Sequence, residues 1–346
     1  MATRKEVAEL AGVSEATVSR VFNGVGPLKE ATRRKVLEAA QRLGYHPNAI
    51  AQSFALGRSG NVGVVLPHVP KVHLFSAYYF AEILSGIGEA LRENGRDMLV
   101  LLRSPDEEPG YAQLFRTRKI DACIVLGARD VPQQLAALRE LRQEGMPFCL
   151  VNQRYDGERF SVVDADHVQG SYEATKHLVE LGYRRIAFMN GSPEYSNSRD
   201  RLLGYRRALA EAGLEPPPGG LLEGNYSRTS GLAAAVRVGE LRSSGLEAVV
   251  CANDRMAIGL VQGLRERGVA AGQDIAVVGY DDSDAARLCD PPLTSVSVPF
   301  YEMGRTAALR LLAAAQQSGA QAAEPFAATL PTKLVVRSSA VRRGGM

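Results

Sequence analysis

The chain opens on Thr3-Arg4-Lys5-Glu6-Val7-Ala8-Glu9-Leu10-Ala11-Gly12-Val13-Ser14-Glu15-Ala16-Thr17-Val18-Ser19-Arg20-Val21-Phe22-Asn23-Gly24. Thr3 to Glu6 has the form of a capping box, with Thr3 as N-cap and Glu6 three residues on. Val7, Leu10 and Ala11 then make an apolar stripe at helical spacing, and Gly12 stops the helix. Ser14 caps a second helix that runs through Phe22 and ends at Asn23-Gly24. Two short helices joined by so tight a turn can lay the second in the major groove of DNA, where Arg20 can bond a guanine bidentately. Short helices around a glycine turn also build small adaptor domains, so the pattern by itself leaves both readings open.

Downstream, Thr32 opens a third helix whose Val36, Leu37, Ala40 and Leu43 recur at helical spacing, and Gly44 ends it. The run Ala49–Leu56 can form a helix but is too short to stand alone. Gly57-Arg58-Ser59-Gly60-Asn61 reads as a flexible linker. Residues 1–60 hold nine Lys/Arg against five Asp/Glu, while the rest of the chain is balanced at 32 against 33. A basic head on a neutral body suggests a polyanionic partner for the head alone, chance clustering being the other reading.

From Val62 onward short β-branched runs alternate with amphipathic segments. The runs are Val62–Leu66, Met98–Leu102, Ala122–Leu126, Phe148–Val151, Ile186–Met189, Ala248–Cys251 and Ile275–Val278. The helical segments are Phe80–Asn94, Gln133–Glu144, Ser171–Leu181, Arg201–Ala212 and Met256–Arg267. Continuous apolar strands separated by helices predict buried parallel sheets of the doubly wound kind. Seven strands suggest two sheets rather than one. A chain of 346 residues, 45% hydrophobic and 23% charged, has room for such cores and is not a disordered composition. No apolar stretch approaches a membrane span, and the start is polar. The four cysteines, Cys123, Cys149, Cys251 and Cys289, lack metal-ligand spacing. The first three lie in apolar runs and read as buried free thiols, which fits a reducing cytoplasm and no metal or other cofactor.

The phrase Ala8–Ser14 followed by Thr17-Val18-Ser19-Arg20, then Thr32–Ala40 and Leu43-Gly44-Tyr45-His46-Pro47-Asn48-Ala49-Ile50-Ala51, resembles the head of the lactose-repressor/galactose-repressor family. The resemblance implies that Glu15, Ala16 and Arg20 face bases, and that Ser14, Thr17 and Ser19 approach phosphates. It adds Thr3 and Asn23 to the DNA-facing set, and a hinge helix over residues 48–56 when bound, with Asn48, Ala51, Gln52 and Phe54. Members of the family usually carry Leu where this chain has Phe54. Phenylalanine is also a wedge residue that can part a base step in the minor groove; packing onto the body is its other reading.

Ligands of doubly wound sheets bind beyond the carboxyl ends of the strands. Those ends here carry His68, Asn152, Asn190, Asn253-Asp254 and Asp281-Asp282, with Arg199 and Arg201 placed in a loop before the Leu203-Gly204-Tyr205 helix. Tyr226, Phe75 or Phe300 can supply an apolar face. Amides, carboxylates and guanidinium groups around an aromatic suit a sugar or other polyol. Each has a duller reading: Asp254 reads equally as a helix cap, His68 as a loop residue, and Arg199 and Arg201 as a solvated pair.

The body resembles the same family, and with it the periplasmic sugar-binding proteins, along nearly its whole length. The matching phrases are Arg201–Arg206, Cys251–Gly259, Val278–Asp282, Pro292–Val296 and Leu334–Arg337. The resemblance implies that Arg201, Asn253 and Asp281 bond ligand hydroxyls or ring atoms. It places Asn152 in a slot that is often Asp, and Tyr226 in one that can carry a stacking aromatic. The stretch Pro67–Phe80, with Lys71, Val72 and His73, departs from the family's compact loop.

The expected fold is therefore α/β: a helix-turn-helix head at 1–47, a hinge helix and linker at 48–60, and a periplasmic-binding-protein-like core at 61–346. That core divides into a first subdomain, about 61–162 plus 297–325, and a second, about 163–296 plus 326–340. The expected function is a non-enzymatic, cytoplasmic transcription regulator, a repressor that binds a palindromic operator as a homodimer under the control of a small effector. A sugar is the favoured effector, a nucleobase or other metabolite the alternative. A transporter's solute-binding protein would need a secretion signal and no head. An enzyme with Asp254, Asp281 or His68 as acid-base groups would need a motif that is missing, since there is no nucleophile elbow, phosphate loop or dinucleotide fingerprint.

Overall fold

The computed structural model describes residues 2–46, 57–68, 78–104, 107–317 and 324–341. By internal contacts the chain divides into two units, Met1–Asn61 with Gln113–Asp121, and Val62–Ala112 with Ala122–Met346.

The first unit carries α1 (Arg4–Ala11), α2 (Glu15–Asn23) and α3 (Glu30–Leu43). The capping box at Thr3 forms in both directions, and Gly12 closes α1 in the left-handed conformation at φ 65°. Ser14 caps α2, its hydroxyl accepting from the Thr17 amide at 3.1 Å. Helix α3 starts two residues earlier than Thr32, behind Lys29. The stripes meet in a small core of Val7, Ala8, Val18, Val21, Val36, Ala39 and Ala40. The end of the expected flexible linker is tied down. Asp121 accepts from the Ser59 amide at 2.7 Å, the Ser59 hydroxyl at 3.0 Å and the Gly60 amide at 2.7 Å. One carboxylate facing two successive backbone donors holds the chain more firmly than the Gly/Ser composition suggests.

The second unit is built on two sheets. Strands are β1 (Asn61–Pro67), β2 (Asp97–Arg103), β3 (Ala122–Leu126), β4 (Phe148–Val151), β5 (Val162–Ala165), β6 (Ile186–Asn190), β7 (Leu221–Glu223), β8 (Ala248–Cys251), β9 (Ala276–Asp281), β10 (Thr294–Ser297), β11 (Ala327–Leu330) and β12 (Lys333–Val335). The first sheet runs β11-β5-β4-β3-β1-β2 and the second β12-β10-β9-β8-β6-β7. Their described central pairings are parallel, and β12 joins β10 antiparallel at an edge. Strands covered on both faces are buried throughout, as in β3, β4, β8 and β9.

Helices α4 (Tyr78–Glu93), α5 (Tyr111–Arg116) and α6 (Pro132–Gln143) alternate with the strands of the first sheet. Helices α7 (His167–Glu180), α8 (Ser196–Glu211), α9 (Arg228–Ser243), α10 (Asp254–Arg265) and α11 (Asp284–Leu288) do so in the second. Helix α12 (Phe300–Gln317) then returns to pack on α4. The chain thus passes between the sheets after β5, between β10 and α12, and between β11 and β12. Two of these passages fall a few residues later than the expected Val163 and Phe326, because β5 and β11 pair in the first sheet over their full lengths.

Candidate functional site

In the head, the capping of α2 at Ser14 turns Glu15, Ala16 and Arg20 outward, and all three are exposed. Thr17 and Ser19 are half-buried beside them. Glu15 is held by Arg4 of α1 at 3.1 Å, an exposed ion pair worth at most about 1 kcal/mol and therefore easily exchanged. The Arg20 guanidinium reaches only its own helix, donating to the Thr17 hydroxyl at 3.4 Å. Asn23 turns to Ser19, its side-chain amide donating to the Ser19 hydroxyl at 3.2 Å. Thr3 spends its hydroxyl on the α1 cap. Exposed Arg33, Arg34 and Lys35 on α3 add positive charge to this unit. Asn48, Ala51, Gln52, Phe54 and Phe75 lie outside the described residues.

In the body, the strand ends bring Asn152, Tyr226, Asn253 and Asp281 into one polar cluster with Arg201, which lies inside α8 rather than in the expected loop. Arg201, only 3% exposed, donates to the Ala252 carbonyl at 2.6 Å and lies 4.1 Å above the Tyr280 ring. Its Nε is buried without a hydrogen-bond partner among the described residues. Asp281 ends β9 in a left-handed conformation, φ 113°, and no described hydrogen bond engages its carboxylate. Burial pushes that carboxyl well above its usual range, with Asp254 adding to the effect, while Arg201 and Arg255 pull it back. Asn253 caps α10, accepting from the Met256 amide at 2.9 Å, and its amide group donates to the Tyr226 carbonyl at 3.1 Å. The Tyr226 hydroxyl donates to Asn197 at 2.9 Å and is hydrogen-bonded to Ser198. Its ring lies so close to Gly191 that an added methyl there would come within 2.1 Å of it.

Four expected ligand residues do other work. Asp254 is fully buried and its acceptors are taken, by the Ser283 amide at 2.7 Å, the Ser283 hydroxyl at 2.9 Å and the Ser295 hydroxyl at 2.6 Å. It brackets two strand ends; the helix cap is Asn253. Arg199 is not in a loop but inside α8, because the polar run Ser196-Asn197-Ser198 is the first helical turn. There it pairs with Asp130 at 3.3 Å and Asp156 at 3.8 Å, straddling the two subdomains. Phe300 is 1% exposed and buttresses Tyr79 edge-on at 5.0 Å; Tyr79 in turn hydrogen-bonds Asn152. His68 is exposed and outside the cluster, its amide donating to the Arg103 carbonyl at 2.6 Å.

The cluster also contains residues that strand-end reasoning missed: Tyr79, His167, Asn197 and Ser198. All sit on helices rather than after strands. The expected buried thiols are so placed, Cys123, Cys149 and Cys251 being free and buried, and burial alone lifts the Cys123 thiol to about 12. No group of acidic, His and Cys side chains among the described residues has the makings of a metal site. No helix among them is long and apolar enough to cross a membrane.

Residues 3–48 match the sequence profile of bacterial regulatory proteins of the lacI family, and residues 175–340 that of a periplasmic binding protein-like domain. The chain is 36% identical to the HTH-type transcriptional regulator CelR of Thermobifida fusca, over 97% of this chain and 98% of that one. It is 31% identical to catabolite control protein A of Priestia megaterium, over 89% and 90%. A CelR–cellobiose complex superposes with a TM-score of 0.74 at 34% identity, over 98% of this chain and all of the other. The lac repressor dimer bound to operator and the anti-inducer ONPF gives 0.83 at 27% identity, over 98% and 99%.

Proposed function

The chain belongs to the lacI family of bacterial regulatory proteins, and from that premise we propose that it represses transcription by binding a two-fold operator as a homodimer, under the control of a sugar held in its body. Its relatives are DNA-binding transcriptional regulators rather than enzymes. A single head presents few side chains to bases, so two half-sites are required for useful affinity.

The observation that carries the effector half is Arg201 Nε, a donor buried without a partner among the described residues, with the Asp281 carboxyl, which no described hydrogen bond engages, facing the same guanidinium. Leaving a buried donor unpaired costs roughly 1–3 kcal/mol. A ligand with neighbouring hydroxyls satisfies both, one hydroxyl accepting from the guanidinium and another donating to the carboxylate. Tyr226 supplies the adjacent ring. The cellobiose held by CelR supports the sugar class.

The dimer half rests on the sheet edges. Strands β2 and β7 are the outermost strands at corresponding edges of the two sheets, and both expose apolar side chains. Met98 is 37% exposed, Leu102 43% and Leu221 43%. Exposed apolar edge strands invite association, and a second copy offers the same edges.

The test is calorimetry with cellobiose, other mono- and disaccharides and nucleobases, on wild type and on Arg201→Ala and Asp281→Ala. A sugar should bind wild type and lose roughly 10-fold or more in affinity in each variant. Unchanged affinity removes that residue from the site, and binding of a nucleobase alone replaces the sugar reading.

A further inference from the structure

His167 opens α7 immediately after the chain leaves the first sheet, and it is 1% exposed. Its Nε2 lies 2.5 Å from Asn152 Oδ1 and 3.5 Å from Asp164 Oδ1, at the ends of β4 and β5. Its Nδ1 lies 3.4 Å from Arg201 Nη2 and 3.2 Å from the Tyr280 hydroxyl, on the second sheet's side. One imidazole therefore touches both halves of the body. We propose that His167 is a positioning residue, a neutral imidazole that accepts from Arg201 through Nδ1 and donates to Asn152 through Nε2. It thereby ties the effector-facing guanidinium to the end of β4. The role rests on the reading of Arg201 as an effector contact.

The tautomer follows from the partners. A guanidinium only donates, so Nδ1 must accept, and the single proton of a neutral ring is left on Nε2. There it meets the Asn152 side-chain oxygen. The Tyr280 hydroxyl keeps a second acceptor in the His167 carbonyl, 3.5 Å away.

A ring of contacts closes around this link. Asn152, held at φ 62°, takes His167 on its side chain and the Asn197 amide on its own carbonyl at 3.1 Å. Asn197 and Arg201 stand four residues apart on one face of α8. Asn152, His167, Arg201 and Asn197 thus form a closed circuit, and any motion of β4 relative to α8 must break it. The charged groups facing the imidazole are Asp164 from β5 and Arg201 and Asp200 from α8, with Tyr280 from β9. Burial first, and the Arg201 charge second, hold the imidazole pKa below its ordinary 6.5, against the pull of Asp164 and Asp200.

Long-range proton–nitrogen spectra of the full chain labelled with 15N-histidine read this directly, the His167 signals being assigned by their loss in His167→Asn. The expected spectrum shows a neutral ring protonated on Nε2, with a titration midpoint below the ordinary 6.5. Arg201→Ala should move its midpoint upward, because a cation has left. A proton on Nδ1, or a midpoint near 6.5 that ignores Arg201→Ala, overturns the assignment.

Two substitutions then separate positioning from packing. The amide oxygen of His167→Asn falls near Nδ1 and can still accept from Arg201, whereas His167→Gln reaches the Nε2 position and leaves Arg201 without that acceptor. With cellobiose as probe, or whichever sugar of the panel binds, His167→Asn should stay within about threefold of wild type and His167→Gln should lose about tenfold or more. The reverse order, or equal losses, overturns the positioning role. If no sugar binds wild type, the proposed effector class fails, and the spectra still decide the geometry of His167.

Discussion

At the scale of single residues, Asp254 and Asp281 show how two aspartates beyond neighbouring strands acquire different roles. Asp254 has its oxygens occupied by two serines, and Asp281 has none occupied. Burial pushes the Asp254 carboxyl up to about 6 from an unperturbed 3.8, in spite of those bonds. A raised carboxyl binds its proton more tightly folded than unfolded. Its contribution to stability is therefore full below about pH 4 and is lost as the pH rises through about 6. Asp254→Asn can still accept from the Ser283 amide while donating to Ser295, and it has no charge to lose. Between pH 4 and 7 its urea midpoint should rise relative to wild type, by an equivalent of up to about 2–3 kcal/mol. Parallel pH profiles of the two proteins would show that Asp254 is not the buried acid described. In the head, Arg20→Ala should cost roughly 1–3 kcal/mol on a selected operator and relax the preference at one base pair per half-site. Equal losses on operator and random DNA would show a phosphate contact instead.

At the scale of elements, α8 is the member on which the site depends. Its first turns carry Asn197, Ser198 and Arg201 into the polar cluster, and Arg199 and Asp200 toward the loops of the first sheet. It can do so because Gly204 lets it lie against α7, where an added methyl would come within 2.1 Å of the Val168 carbonyl oxygen. Gly204→Ala should therefore cost about 1–3 kcal/mol in denaturant unfolding and weaken effector binding, since His167 and Arg201 sit on the two helices being forced apart. A wild-type melt with wild-type ligand affinity would contradict that packing. The same elements show what the sequence carries and what it does not. All seven apolar runs are strands; β3, β4, β8 and β9 are buried on both faces and so must be apolar along their length, while β2 is apolar at a partly exposed edge. The strands without that mark were invisible: β5 is interrupted by Asp164, β10 reads Thr-Ser-Val-Ser, and β7, β11 and β12 are short and partly exposed edges. Helix α9 was missed because its apolar residues are spread around the axis rather than on one side. The cluster residues that follow strands β4, β8 and β9, Asn152, Asn253 and Asp281, are legible because topology places them. His167 is not, because its importance comes from Arg201 and Asn152, which are distant in sequence and become its partners only in the fold.

At the scale of the whole molecule, the proposed homodimer needs a surface for its second copy. Changing Met98 or Leu102 on β2 to Lys should leave each chain folded, because both side chains are already over a third exposed. It should shift light scattering from dimer toward monomer at micromolar concentration, and operator affinity should fall with it, since two half-sites would no longer be joined. A Lys variant that stays dimeric would move the interface elsewhere. Effector and operator must also be linked reciprocally: whatever factor the sugar imposes on operator affinity, the operator must impose on sugar affinity. The most direct test is a pair of titrations on wild type at one fixed salt concentration. One follows a selected two-fold operator with and without saturating sugar, beginning with cellobiose, and the other follows that sugar with and without saturating operator. The expected result is a change of about 5- to 150-fold in operator affinity, matched within error by the change in sugar affinity and absent in Arg201→Ala. Operator affinity that is indifferent to every sugar that binds the body would contradict it.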